Sequence, residues 1–302
     1  MLGVPTPSVS PDPHPKEPAM HAEQVTDPLC YHGEGPVWAE SWGGLRWVDM
    51  LAGDYLSLRA DGTVDRTSVD ERVCAVLRPR VGGGAVIAVE RGFVLEDADG
   101  TLHRLPPVWE DPDLRMNEGG CDPDGRFYAG SMAYSKTPGA AMLHRLDPSG
   151  EVDTVLEGVT TSNGLAWSPD GSRAYYNDTP TRQVAVFDYS REEALTRRRV
   201  LVDVLDGEGK PDGLCVDAEG GIWVAVISHG QIHRYTPEGR LDEVVEVPVQ
   251  KTTACTFGGD DLGTLYITTS WENMEGGEDP LAGALFAVRP GVTGLPALPF
   301  AG

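Results

Sequence analysis

The sequence predicts an all-β protein, a six-bladed β-propeller with four-stranded antiparallel blades. Three observations carry this. Glycine (37) and proline (24) are abundant among the 302 residues, and short β-branched or aromatic runs recur between Gly/Asp/Pro turns. Long stretches of helical apolar periodicity are rare. Most telling, "NEGGCDPDGRFYAG" (117–130), "NGLAWSPDGSRAYYND" (163–178) and "DGLCVDAEGGIWVAV" (212–226) share one template. Each has Asn or Asp, a short apolar strand, a turn glycine eight residues on (Gly125, Gly171, Gly220) and a second strand rich in aromatic or β-branched residues.

Taken in chain order, the first blade is "EGPVWAESWGGLRWVDM", whose double glycine at 43–44 puts Glu34 in the leading slot with a one-residue slip. The second, "CAVLRPRVGGGAVIAV", places Cys74 eight residues before Gly82. The third, fourth and fifth are the three clear copies, led by Asn117, Asn163 and Asp212. The sixth, "CTFGGDDLGTLYITT", is led by Cys255 ahead of Gly263. Copies starting at 34, 74, 117, 163, 212 and 255 recur every 40 to 49 residues, the length of a four-stranded blade.

Outer strands follow the same order, for example "QVAVFDY" and "RRVLVDVL" in the fourth blade and the hairpin "QIHRYTPEGRLDEVVEV" in the fifth. "SREEALTRRR" (190–199) is the one helix-like segment, with a loop between outer strands as its alternative. The sixth copy lacks an evident outer strand, and "EQVTDPLC" (23–30) is placed to supply it and close the ring. The propeller is therefore expected over residues 25–302. Residues 1–24 read as a flexible Pro-rich tail, neither signal peptide nor membrane anchor, with Met20 an alternative start.

The net charge of −23, from 24 basic and 47 acidic side chains, argues against nucleic acid and anionic membranes as partners. No apolar run approaches the roughly 18 residues of a membrane helix. Cys30, Cys74, Cys121, Cys215 and Cys255 are odd in number, widely spaced and free of any C-x-x-C, which fits buried thiols in the cytoplasm. Composition leaves monomer and dimer open.

The first strand of a propeller blade lines the central channel, so Glu34, Cys74, Asn117, Asn163, Asp212 and Cys255 are expected to face one axis. The bland alternative for Asn163-Gly164 is a turn with positive φ. Four oxygen donors at one mouth, two of them carboxylates, would repel or go unsatisfied without a cation. Oxygen-only ligation suits Ca²⁺ first, then Mg²⁺ or Mn²⁺, and the lack of a His or thiolate set argues against a zinc-specific cage. Three or four protein oxygens leave the shell open, as catalysis requires. His32 and His229 read as structural, and Met132 and Tyr134 as packing near the pocket. "GGG" at 82–84 lacks the Lys and helix of a phosphate loop, and no Gly-x-Ser-x-Gly elbow is present.

With Glu34 in "GEGPVW", Asn117 in "RMNEGGCDPDGRFYAGSM", Asn163 in "SNGLAWSPDG", Asp212 in "PDGLCVDAEGGIWVA", then "CTFGGDDLGTLYITT" and the closing "GALFAVRPGVTGLPALPFAG", the chain resembles the SMP-30/gluconolactonase/regucalcin-like family over residues 30–302. The resemblance implies one divalent metal held by Glu34, Asn163 and Asp212, with Arg115 and Asn117 orienting a sugar lactone. It also implies that Asn117 is close enough to touch the metal directly or through water. Two positions depart from the family pattern. Asn117-Glu118 stands where Asn-Asp is usual, which bears on the substrate contact expected of Glu118. Lys251-Thr252 stands where a proline is usual, which bears on pocket shape.

The activity implied is hydrolysis of aldonolactones. The metal would polarise the carbonyl, and Asp212 would take the proton of the attacking water. With Zn²⁺, Mn²⁺ or Fe²⁺, Asp212 would be needed only as a ligand. Arg115 would donate to ring or hydroxyl oxygens; its alternative is a solvated arginine paired with Asp113 or Glu118. Two other functions remain: a related propeller hydrolase acting on phosphotriesters or other lactones, which would want a narrow apolar pocket, and a non-catalytic metal-binding propeller.

Overall fold

In a computed structural model describing residues 20–203, 209–275 and 279–302, each expected repeat becomes a four-stranded antiparallel sheet with its first strand innermost. The inner strands are Gly33–Ala39, Cys74–Pro79, Leu114–Cys121, Ser162–Trp167, Lys210–Val216 and Thr252–Gly258, for blades one to six. Successive inner strands touch around the ring, and blade six returns to blade one. Buried clusters fill the wedges between blades, such as Tyr128, Leu165 and Trp167 between blades three and four and Val186, Leu214 and Val224 between four and five. Stability thus comes from sheet faces packed on neighbouring sheets, with no separate central core.

Ring closure follows the sequence expectation: Glu23–Gln24 pairs antiparallel with Phe286–Val288 as the outer strand of blade six. Met20–His21 adds a fifth, parallel strand to blade five beside Val245 and Glu246. Residues 20–24 therefore belong to the sheets, although the sequence suggested a tail over 1–24; residues 1–19 lie outside the described residues. "SREEALTRRR" is not helical. It turns at 191–193 and continues as the outer strand Ala194–Asp203, because Ser190 pairs with Ala194 and the hairpin has a ready partner.

Every inner strand carries one β-bulge at the same level. Pairing jumps from Met116 to Gly119, Ser162 to Leu165 and Pro211 to Leu214, leaving Asn117-Glu118, Asn163-Gly164 and Asp212-Gly213 unpaired. In blade one the jump is from Glu34 to Val37, and in blades two and six it skips Ala75 and Thr253. A bulge frees one side chain from the strand alternation and re-aims it. Two slots differ from the sequence expectation for this reason. Cys74 pairs with Val89 ahead of its bulge and is buried in a hydrophobic cluster, and Cys255 lies beyond the bulge. The residue at the bulge of blade six is Thr253, whose Oγ1 donates to the Gly33 carbonyl at 2.5 Å.

The glycine after Asn163 is also explained. Gly164 is absent from the positive-φ residues, so the pair is no turn. A Cβ at Gly164 would lie 2.5 Å from the Leu214 nitrogen, and one at Gly213 would lie 2.4 Å from the Ala254 Cβ. Glycine here lets neighbouring inner strands approach closely.

Candidate active site

The inner strands run in one direction, so residues early in each meet at one end of the channel. Glu34, Arg115, Asn117, Glu118, Asn163 and Asp212 are all buried, each with at most 6% of its surface exposed. Three carboxyls sit close enough to perturb one another. Burial pushes Glu34 well above the usual carboxylate range, and Asp212 and Glu118 push it further. Burial does the same to Asp212, Glu118 adds to it, and a hydrogen bond from Asn163 opposes it. Glu118 is raised by burial and held back chiefly by Arg78, 3.5 Å away.

The two asparagines have different jobs. Asn117 accepts from Arg115 Nη1 at Oδ1 (2.7 Å) and donates from Nδ2 to the Ser162 carbonyl (2.7 Å). Both ends of its amide are engaged in holding the guanidinium and the next blade. Asn163 donates from Nδ2 to Thr179 Oγ1 at 3.0 Å, while its buried Oδ1 has no partner. An unpartnered buried acceptor is costly, and this one shares the site with two carboxyls.

Arg115 is pinned by Asn117, by the Met116 carbonyl at 3.0 Å and by Met50 Sδ at 3.1 Å, and it lies 5.9 Å from the Tyr134 ring centroid. It pairs with neither acid expected as an alternative: Asp113 caps Ser135 and Glu118 faces Arg78. His32 is held below its usual range, at about 3, by burial and then by Arg115 and Lys251, and it contacts Ser270 Oγ at 2.7 Å. It is a neutral structural residue. His229 is exposed.

Three supporting residues escaped the sequence reading: Thr179, Asn177, which donates to the Asp212 carbonyl at 2.6 Å, and Arg78. Each acts on a residue 16 to 40 positions away in the chain, so no local motif marks it.

Beyond the bulges, the later halves of the inner strands surround a chamber of about 550 Å³ at the opposite end of the channel. Val37, Trp167, Leu214 and Leu298 make it largely apolar, and Glu118 and Arg78 line it. Glu118 thus stands between this chamber and the acid cluster.

The model of the SMP-30/Gluconolactonase/LRE-like region matches residues 32–271. The chain belongs to this family. Among its relatives, regucalcin of Danio rerio is 36% identical over 280 residues, covering 89% of this chain and 95% of that one. The 6-deoxy-6-sulfogluconolactonase of Pseudomonas putida is likewise 36% identical over 281 residues, with the same coverage. Among solved structures, the calcium-binding protein regucalcin from Agrobacterium tumefaciens superposes with a TM-score of 0.88 at 26% identity, covering 93% of this chain and 98% of that one. In this chain the bulges carry Asn117, Glu118, Asn163 and Asp212, while Glu34 and Arg115 are paired residues just ahead of theirs.

The donor set fits a hard cation. Two carboxyls, Glu34 and Asp212, and the unpartnered amide oxygen of Asn163 would all offer oxygen donors. Among the described residues no three of His, Cys, Asp and Glu cluster to hold a metal. The third donor here is an amide.

Proposed function

We propose that this protein hydrolyses sugar lactones, opening aldonolactones to their aldonic acids. The observation that carries the reading is the buried set of Glu34, Asp212 and the partnerless Asn163 Oδ1 beside a fixed Arg115. The sugar-lactonase name of a relative at 36% identity supports the reaction class, and the regucalcin relatives and the calcium-binding neighbour support a divalent ion, Ca²⁺ first.

Glu34, Asn163 and Asp212 would hold the ion, which when bound polarises the lactone carbonyl. Arg115, oriented by Asn117, donates hydrogen bonds to the oxygens of the substrate. Asp212 takes the proton from the attacking water at a carboxylate oxygen, since Ca²⁺ acidifies water only weakly. Glu118, aimed by Arg78, closes the floor of the site and is the remaining acceptor for a substrate hydroxyl.

The apolar chamber, which a phosphotriester or aromatic lactone would prefer, lies on the far side of Glu118 from Arg115, so a hydroxylated substrate is favoured. Free thiols at all five cysteines suit a reducing cytoplasm, and no described helix is long and apolar enough to cross a membrane. The deciding experiment strips the protein with chelator, restores Ca²⁺, Mg²⁺, Mn²⁺, Zn²⁺ or Fe²⁺ in turn, and follows proton release from five- and six-membered sugar lactones. Metal-dependent turnover of any lactone is expected. Stoichiometric metal binding without turnover of any lactone would leave the phosphotriester hydrolase or the non-catalytic propeller.

A further inference from the structure

The chamber at the far end of the channel carries a chemistry that lactone hydrolysis does not use. Cys215, on the inner strand of blade five, and Cys255, on that of blade six, both line it. Their sulfurs are 3.7 Å apart, and Cys255 Sγ also reaches the Trp223 carbonyl at 3.6 Å. The backbones converge just before them, where a Cβ on Gly213 would overlap the Ala254 Cβ at 2.4 Å. Side chains leaving two strands so closely set need little movement to close from van der Waals contact to a bond of about 2.05 Å. The other three thiols have no thiol partner among the described residues: Cys30 accepts from Trp47 Nε1 at 3.2 Å, Cys74 is buried in the cluster of blades one to three, and Cys121, in that same cluster, also lines the chamber but away from the sulfur pair.

We propose that Cys215 and Cys255 are a modification site, a dithiol that hydrogen peroxide converts reversibly to an inter-blade disulfide. Cys215 is the more accessible of the two and meets the oxidant first. Its sulfur attacks one peroxide oxygen, the O–O bond breaks, and the thiol proton leaves with the departing oxygen as water. Cys255 sulfur then attacks the sulfenic acid, the S–O bond breaks, and the second water forms from the hydroxyl and the Cys255 proton. Two thiols and one peroxide thus become one disulfide and two waters, and a dithiol reductant reverses the step. Burial and the neighbouring Cys255 hold the Cys215 thiol well above its usual range, so the reaction is slow compared with that of exposed, activated thiols. The bond would staple blades five and six across a separation of 40 residues, three positions after Asp212.

The test treats the whole protein with excess hydrogen peroxide, removes the oxidant, denatures the protein and counts thiols. Two of the five are expected to vanish, with a mass loss of two hydrogens, one peptide joining 215 to 255, a higher melting temperature and full recovery with dithiothreitol. Cys215→Ala should retain its remaining four thiols. All five thiols persisting, a different pairing, or an oxygen adduct on Cys215 without the cross-link would each overturn the proposal. Peptide mapping of the unsubstituted protein decides the matter should Cys215→Ala fail to fold.

Discussion

Thr179 fixes which end of the Asn163 amide faces the channel. Its hydroxyl donates to the Pro211 carbonyl at 2.9 Å, so its oxygen must accept from Asn163 Nδ2 at 3.0 Å. The Asn163 oxygen is left as the free end. Groups that orient a ligand typically contribute about 10- to 100-fold to metal affinity.

Thr179→Val should therefore weaken Ca²⁺ binding by about 10- to 100-fold, read by calorimetric titration, while Thr179→Ser retains it. Equal affinities in the two variants would remove Thr179 from the site.

Glu34→Ala and Asp212→Ala should each abolish tight metal binding yet leave the propeller folded. Each removes a buried carboxyl that its neighbours already crowd, so no packing element is lost. Circular dichroism should be unchanged, and the rise in melting temperature that Ca²⁺ produces in stripped protein should disappear. Full activity in both variants would sink the site assignment.

Asn117→Ala should lower turnover far more than metal affinity. The amide holds Arg115 and Ser162, and a misplaced guanidinium costs on the order of 100-fold in rate. An unchanged rate would show that Arg115 is positioned without it.

Acid should destabilise the protein through two histidines remote from the site. His144 and His233 are buried, and burial holds both at about 4. Unfolded histidine titrates near 6.5. Between these values the unfolded chain binds more protons, so stability falls as pH drops from 6.5 towards 4. The loss is on the order of 3 kcal/mol per histidine. His233→Gln, which keeps a polar group beside Tyr235 and Gln231, should flatten the fall in melting temperature over that range.

The blades were legible in the sequence because each is a local unit: strand, Gly turn, strand, repeated every 40 to 49 residues. The same repeat located Asn117, Asn163 and Asp212, since in blades three to five the turn glycine keeps a constant distance from the bulge. It missed in blades two and six, where the bulge skips a single residue and the count to the glycine no longer marks it. Thr253 was invisible for that reason.

Residue order alone therefore determined the number of blades, the closure of the ring by residues near the N-terminus and the polar character of one channel end, because these depend on local periodicity and alternation. Tertiary structure decided everything that rests on contact between blades. The Thr179–Pro211 contact that leaves the Asn163 oxygen free, the Met50 sulfur against Arg115, the Glu118–Arg78 pair and the meeting of Cys215 with Cys255 all join residues of different blades. Between blades four, five and six the approach is as close as it is because Gly164 and Gly213 carry no side chain, a distance that no spacing along the chain encodes.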